Sequence, residues 1–243
     1  MSEEKNDTVQ TEKKIEIKLP TAEQLIEAGV HFGHKMSRWN PKMEPYIFGA
    51  KNAVHIIDLA KTLTKLKEAV DFVTDIVAKG GLIILIGTKP PVKKIIKEAA
   101  QSVGMPYVNR RWIGGALTNF KTIGKRLEYF RDLEKKMAEG ELKKYTKKEQ
   151  LGFQRKLEEM EKIFGGIKNL TKLPEAIFAV DLKENQLAVR EAKKSGVKVI
   201  AIADTNTSPE LVDFLIPAND DAASSVKIIV DTIVEAIKEA KNH

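Results

Sequence analysis

Leu82-Ile83-Ile84-Leu85-Ile86 is an apolar run without a polar interruption. A strand with one wet face alternates apolar and polar residues, so this run predicts a strand covered on both faces, as in a parallel sheet flanked by helices. The surrounding segments supply the flanks. Residues 54–59 read as a strand, 62–78 as a helix, 91–102 as a helix and 107–108 as a short strand. Further on, 176–180, 197–203 and 212–216 read as strands, with helices over 186–195 and 222–240. Ile228, Ile229, Thr232, Ile233 and Ile237 mark the helical spacing of the last one. Strands alternating with helices predict an α/β fold built on an open, doubly wound parallel sheet.

Two regions depart from this alternation. Residues 1–19 are polar and charged apart from Ile15-Glu16-Ile17, and are expected to form a flexible tail. Thr21 with Gln24 makes a capping box for a helix ending at Gly29, and 30–49 lacks two-residue alternation and is expected to be a loop. The second departure lies between strands 107–108 and 176–180. Ile123, Leu127, Phe130, Leu133 and Met137 recur at steps of four and three, as do Phe153, Leu157, Met160 and Phe164. That is helical periodicity, and two amphipathic helices joined by the polar stretch 140–146 predict an inserted antiparallel coiled-coil hairpin. The expected organisation is a tail (1–19), an α/β domain (20–118 and 171–240) and the hairpin (119–170).

Composition bounds the chemistry. The chain of 243 residues is 42% hydrophobic and carries a formal charge of +7. The excess is local. From 107 to 172 there are 17 Lys and Arg against 9 Asp and Glu, leaving 24 against 25 elsewhere, so one segment holds the whole surplus and points to a polyanionic partner. With no cysteine, disulfides, thiolate metal sites and cysteine nucleophiles are excluded. No apolar run is long enough to span a bilayer, so a soluble cytoplasmic protein without a membrane partner is expected.

Enzymatic motifs fail on spacing or on partners. Ile86-Gly87-Thr88-Lys89 lacks the upstream glycine of a phosphate loop, and His31-Phe32-Gly33-His34 has no i, i+4 ligand geometry and no paired nucleophile. Asp181 and Asp204 stand at strand ends, where doubly wound sheets bind ligands, with Asp220 and Asp221 as potential helpers. Asp followed by Thr or Asn also caps turns and helix starts, and this is the preferred reading. No cofactor and no small-molecule substrate are expected, with a weak divalent cation near Asp204 as the one exception considered.

The binding candidates are basic and aromatic. Asn109-Arg110-Arg111-Trp112-Ile113-Gly114-Gly115 through Asn119 combines paired guanidinium forks, an indole and glycines that let the main chain approach a ligand. Lys121 and Lys125 follow on the first hairpin helix. A second cluster holds Lys35, Arg38, Trp39 and Lys42, where Trp39 either stacks on a base or anchors its loop. These eleven residues, Asn119 among them, are the expected RNA contacts. Leu127, Phe130, Phe153 and Leu157 are expected to meet a protein partner if the hairpin presents an apolar surface.

Several of these segments resemble the family of the second protein of the small ribosomal subunit, in its bacterial form. The resemblance rests on Leu25 through His34, Arg38-Trp39-Asn40-Pro41-Lys42-Met43, Tyr46-Ile47-Phe48-Gly49 and His55-Ile56-Ile57-Asp58-Leu59. It continues in Arg111-Trp112-Ile113-Gly114-Gly115, Leu117-Thr118-Asn119-Phe120, Gly165-Gly166-Ile167 and Ile216-Pro217-Ala218-Asn219-Asp220-Asp221, and covers about residues 20 to 238. Ile113 and Ala116 depart from the pattern. The resemblance implies a flavodoxin-like sheet and no catalysis. It also implies binding to small-subunit ribosomal RNA between head and body on the solvent side, and help in docking the large messenger-binding protein of that subunit.

Overall fold

The computed structural model describes residues 17–242, so most of the expected tail lies outside the described residues. The first helix, α1 (Ala22–Glu27), begins with the capping box: the Thr21 hydroxyl accepts from the Gln24 N–H and the Gln24 side chain accepts from the Thr21 N–H.

The next segment corrects two expectations. The stretch 30–49, read as a loop, contains β1 (Phe32–Lys35) and the start of β2 (Ile47–Lys51), and both pair with β3 (Val54–Ile57) in an antiparallel sheet of order β1-β3-β2. The strand expected at 54–59 therefore stands at the centre of this small sheet and outside the parallel one. Register shifts between Phe32 and Lys35 and between Ile47 and Gly49 erase the two-residue pattern that would have revealed the strands. The β2–β3 connection is a two-residue turn in which Asn52 and Ala53 both have positive φ, 51° and 59°. This is the backbone of the tight hairpin turn that matches strand twist.

From here the chain follows its predicted alternation: α2 (Leu59–Ala78), β4 (Ile83–Ile86), α3 (Pro90–Val103) and β5 (Tyr107–Val108). Two long helices follow, α4 (Phe120–Ala138) and α5 (Lys147–Phe164), and then β6 (Ala176–Val180), α6 (Gln186–Lys194), β7 (Lys198–Ala203), β8 (Phe214–Pro217) and α7 (Ala223–Asn242). The five later strands are all parallel, in the order β5-β4-β6-β7-β8. Counted from β4 this is 2-1-3-4-5, the doubly wound order of flavodoxin-like folds.

Alternate residues of each strand feed two cores. Ile83, Leu85, Phe178, Ile200, Ile202 and Ile216 pack with α2, α3 and α7. Ile84, Ile86, Ile177, Ala179, Val199 and Ala201 face the other way, onto α6 and the inward residues of α4. Every residue of β4 and β6 is buried, which is why their sequences show no alternation. Burial of these apolar faces is the main force holding the sheet and its helices together, at roughly 25 cal/mol for each Å² removed from water.

Candidate nucleic-acid interface

The loops after β4, β5, β6, β7 and β8 share the rim at the carboxyl ends of the parallel strands. After β5, the chain from Asn109 to Asn119 runs without regular structure until α4 begins. Glu191, on α6 and 5% exposed, holds this loop from beneath. Its carboxylate accepts the Gly115 N–H at 2.8 Å, the Leu117 N–H at 3.2 Å and the Thr118 hydroxyl at 3.4 Å. Gly115 has a φ of 84°, a conformation that carries little cost only without a Cβ. Nothing in the order of residues announced Glu191, because a glutamate on an amphipathic helix ordinarily faces water.

Trp112 corrects part of the expected site. It is 6% exposed and packs in the core beneath the sheet with Val108, Leu117 and Ile123. An indole so placed cannot stack on a base, and it serves to anchor the loop that carries the arginines. Arg110 and Arg111 on its N-terminal side are exposed, and Asn109 is tied down through its amide to the Lys93 carbonyl at 3.3 Å.

The arginines border a cleft of about 180 Å³ between the end of β5, α3 and the end of α5. Lys97 of α3 and Lys162 of α5 line it as well, with Tyr107 and Glu161. Among the described residues, neither lysine and neither arginine has a carboxylate within 4.0 Å. Lys97 and Lys162 were not singled out by the sequence, since only the fold brings α3 and α5 to β5. Asn119, Lys121 and Lys125 are exposed at the start of α4, outside the residues lining the cleft.

The acidic strand ends form a different kind of site. Lys89, just after β4, reaches Asp181 at 2.6 Å, Asp221 at 2.7 Å and Asp220 at 3.1 Å. Burial works against its charge, but the hydrogen bonds to Asp181 and Asp221 outweigh that and hold its pKa above that of an ordinary lysine. Asp220 is pushed up to about 7 by burial and by the charge of Asp181, and one of its oxygens has no hydrogen-bond partner. His34 of β1 bonds Asp204 through Nδ1 at 2.9 Å and meets Asp221 through Nε2 at 3.4 Å. The hydrogen bond that His34 donates to Asp204 raises the His34 pKa. The other Asp204 oxygen accepts the Thr205 hydroxyl at 3.0 Å, and Asp181 accepts the Lys183 N–H at 2.9 Å. Apart from that one Asp220 oxygen, these carboxylates are engaged by internal cations and caps. Among the described residues no three His, Asp or Glu side chains are arranged as metal ligands.

The small antiparallel sheet carries the other basic cluster. Lys35, Arg38 and Lys42 are exposed, and Lys42 pairs with Glu210. Trp39 is half-buried with its ring tilted against His55 at 5.1 Å, which favours the anchoring role. Asn40 ties this loop to the rim by donating its N–H to the Thr205 carbonyl at 2.7 Å. The same sheet exposes Phe48 to 80% and Phe32 to 49%; Phe48 belongs to the second basic and aromatic cluster expected to make contacts, whereas Phe32 was not singled out.

Ile123, Leu127, Phe130 and Leu133 of α4 face inward, while Met137 is exposed. Leu127 and Phe130 have no exposed surface and belong to the core beneath the sheet, so the expectation that they meet a partner conflicts with their place in this structure. Phe153 and Leu157 of α5 are half-buried, Phe153 edge-on to Tyr145 at 5.3 Å. Lys156 of α5 donates to the Tyr129 hydroxyl of α4 at 3.0 Å and lies over its ring. No described helix is long and apolar enough to cross a membrane.

A family model described as Ribosomal protein S2 matches residues 25–240. Two similar relatives are described as small ribosomal subunit protein uS2, from Roseiflexus sp. (strain RS-1) and Roseiflexus castenholzii (strain DSM 13941 / HLO8). Each is 49% identical over 218 residues, covering 90% of this chain and 83% of the relative.

Proposed function

The chain belongs to the ribosomal protein S2 family, and from that premise we propose that it is a structural constituent of the small ribosomal subunit that binds small-subunit ribosomal RNA. Its place is at the head/body junction on the solvent side of the cytoplasmic ribosome, where it supports translation beside other small-subunit proteins. The observation that carries this reading is the pair Arg110 and Arg111: both exposed, both without a carboxylate partner among the described residues, on a loop fixed by Glu191 and Trp112. Guanidinium forks held in this way match phosphate oxygens, and phosphate contacts give affinity that falls with salt. Folded RNA is recognised mainly by shape, so sequence readout is slight.

Asn109, Asn119, Lys121 and Lys125 extend this surface, and Lys35, Arg38 and Lys42 form a second one; Trp39 and Trp112 shape the loops between. The helices α4 and α5 act as an inserted coiled-coil hairpin over 119–170, with exposed Lys143, Lys144, Lys147 and Lys148 at its tip for a further anion contact. Replacing Arg110 and Arg111 together with Ala is expected to lower occupancy in small subunits about tenfold at moderate salt, a loss of about 1.4 kcal/mol. Unchanged occupancy, measured by co-sedimentation with small subunits, would overturn the mechanism.

Docking of the large messenger-binding protein is better supported on the antiparallel sheet than on the hairpin. Phe48 and Phe32 expose aromatic surface on that sheet, whereas Leu127 and Phe130 are buried. Phe153 and Leu157 remain the only two of the four hairpin candidates with accessible surface.

A further inference from the structure

We propose that the cleft between β5 and the end of α5 seats one backbone phosphate of the RNA, gripped jointly by Lys97, Arg110, Arg111 and Lys162. The inference rests on the RNA-binding reading above and adds to it the stoichiometry of the grip and two residues from other elements.

The charge distribution favours an anionic occupant. Four cations from α3, the β5 loop and α5 line one cleft against a single carboxylate, Glu161. Neighbouring Lys136 and Lys168 of the helical insertion are each paired, with Asp132 and Glu134, whereas the four cations of the cleft have no such partner among the described residues. Like charges gathered in one concave place repel one another and focus a positive potential into the cleft. An anion placed there relieves the repulsion. Glu161 leaves a net surplus of three charges, enough to hold a phosphodiester in spite of the carbonyl ends of α5 nearby.

The size limits the occupant to the anion itself. A cleft of about 180 Å³ is smaller than the roughly 300–1,000 Å³ of sites that enclose a whole small molecule, so a nucleoside with its base stays outside. The walls are fixed in spacing. A Cβ on Gly166 would lie 2.1 Å from the Tyr107 carbonyl oxygen, which shows how closely the chain after α5 is pressed onto β5. A phosphate between Arg110 and Lys162 therefore bridges the parallel sheet to the helical insertion.

The test uses the full chain and small-subunit ribosomal RNA, with binding measured over a range of salt. Four proteins are compared: wild type, Arg110→Ala/Arg111→Ala, Lys97→Ala/Lys162→Ala and the quadruple variant. All four positions are exposed, so folding is preserved. One shared phosphate predicts that each double variant binds about tenfold more weakly. It also predicts that each lowers the slope of log affinity against log salt by about 0.7–0.9, and that the quadruple variant lowers it no further. Slope losses that add in the quadruple variant mean separate phosphates and overturn the shared seat. In parallel, inorganic phosphate is titrated into free protein against chloride at equal ionic strength while the Arg110, Gly165 and Gly166 amide resonances are followed. Shifts that vanish in Lys97→Ala/Lys162→Ala support the seat. The same shifts with no RNA binding by wild type overturn the RNA reading and leave a free-phosphate site. RNA binding with unaltered slopes and no phosphate shifts overturns the seat alone.

Discussion

Glu191 and Gly115 are 76 residues apart in the chain, yet the Glu191 carboxylate accepts the Gly115 N–H at 2.8 Å. The carboxylate sits in a turn of main-chain donors that continues through Leu117, so a buried charge is satisfied and the arginine loop is fixed to α6 in one step. Replacing Glu191 with Ala leaves those N–H groups without an acceptor and is expected to lower stability by about 2–3 kcal/mol. Urea denaturation measures it. Gln at this position keeps one acceptor and should lose less.

Lys89 holds three carboxylates, two of them almost fully buried. Lys89→Met removes the charge while keeping the length of the side chain, leaving Asp181 and Asp220 uncompensated. Breaking a buried pair from one side typically costs about 3–5 kcal/mol. Adding Asp181→Asn and Asp220→Asn to that variant should restore most of the loss. Asn also accepts the left-handed backbone of position 181, where φ is 62°. A variant that needs no rescue, with wild-type stability in denaturant, would show that Lys89 is not the counter-ion of this cluster.

The pH dependence follows from the same cluster. The Asp220 carboxyl is raised from its ordinary value of 3.8 to about 7, so the folded state binds its proton more tightly than the unfolded chain does. Its stabilising contribution is full below about 4 and is lost as pH rises to about 7. His34, also raised, adds stability below 6.5 that disappears as pH climbs through its folded value. Asp221 runs oppositely, held low by Lys89, and loses its contribution only at acid pH. Stability should therefore be higher near pH 6 than near pH 8. Asp220→Asn should raise stability at pH 8 by on the order of 2–4 kcal/mol and flatten the slope between 5 and 7. A steeper slope in that variant would contradict the assignment.

What could be read from the chain followed burial. Leu82 to Ile86 and Ala176 to Val180 stood out because both faces of their strands are covered, and Ile123, Leu127 and Phe130 showed their helix because one side of it is. β1 and β2 were hidden by bulges that break alternation over strands of only four and five residues. The arginine loop was visible as a local string of side chains. Its supports were not: Glu191, Lys97 and Lys162 reach it from other elements, and pairings at that distance leave no spacing to find. Lys89 was read only for the phosphate-loop spacing that its segment lacks, and its partners, 131 and 132 residues away in Asp220 and Asp221, appear only once the sheet is wound. Aromatic Trp112 looked like a ligand surface because residue type alone cannot tell a buried indole from a presented one.

Phe48 and Phe130 test where a protein partner docks. Phe130 is fully buried between α4 and the sheet, so Phe130→Ala leaves a cavity and should cost about 3–5 kcal/mol, read as an earlier denaturant midpoint. Phe48 is 80% exposed, and Phe48→Ala should change stability by no more than about 0.5 kcal/mol. Its consequence should appear elsewhere. Small subunits carrying Phe48→Ala together with Phe32→Ala are expected to retain the altered chain at wild-type occupancy while losing at least about tenfold in affinity for the large messenger-binding protein, the scale of one aromatic anchor in an interface. Lost occupancy of the chain itself would place these rings on RNA. Unchanged affinity would return the docking site to the accessible faces of Phe153 and Leu157, where the double Ala variant is the corresponding measurement.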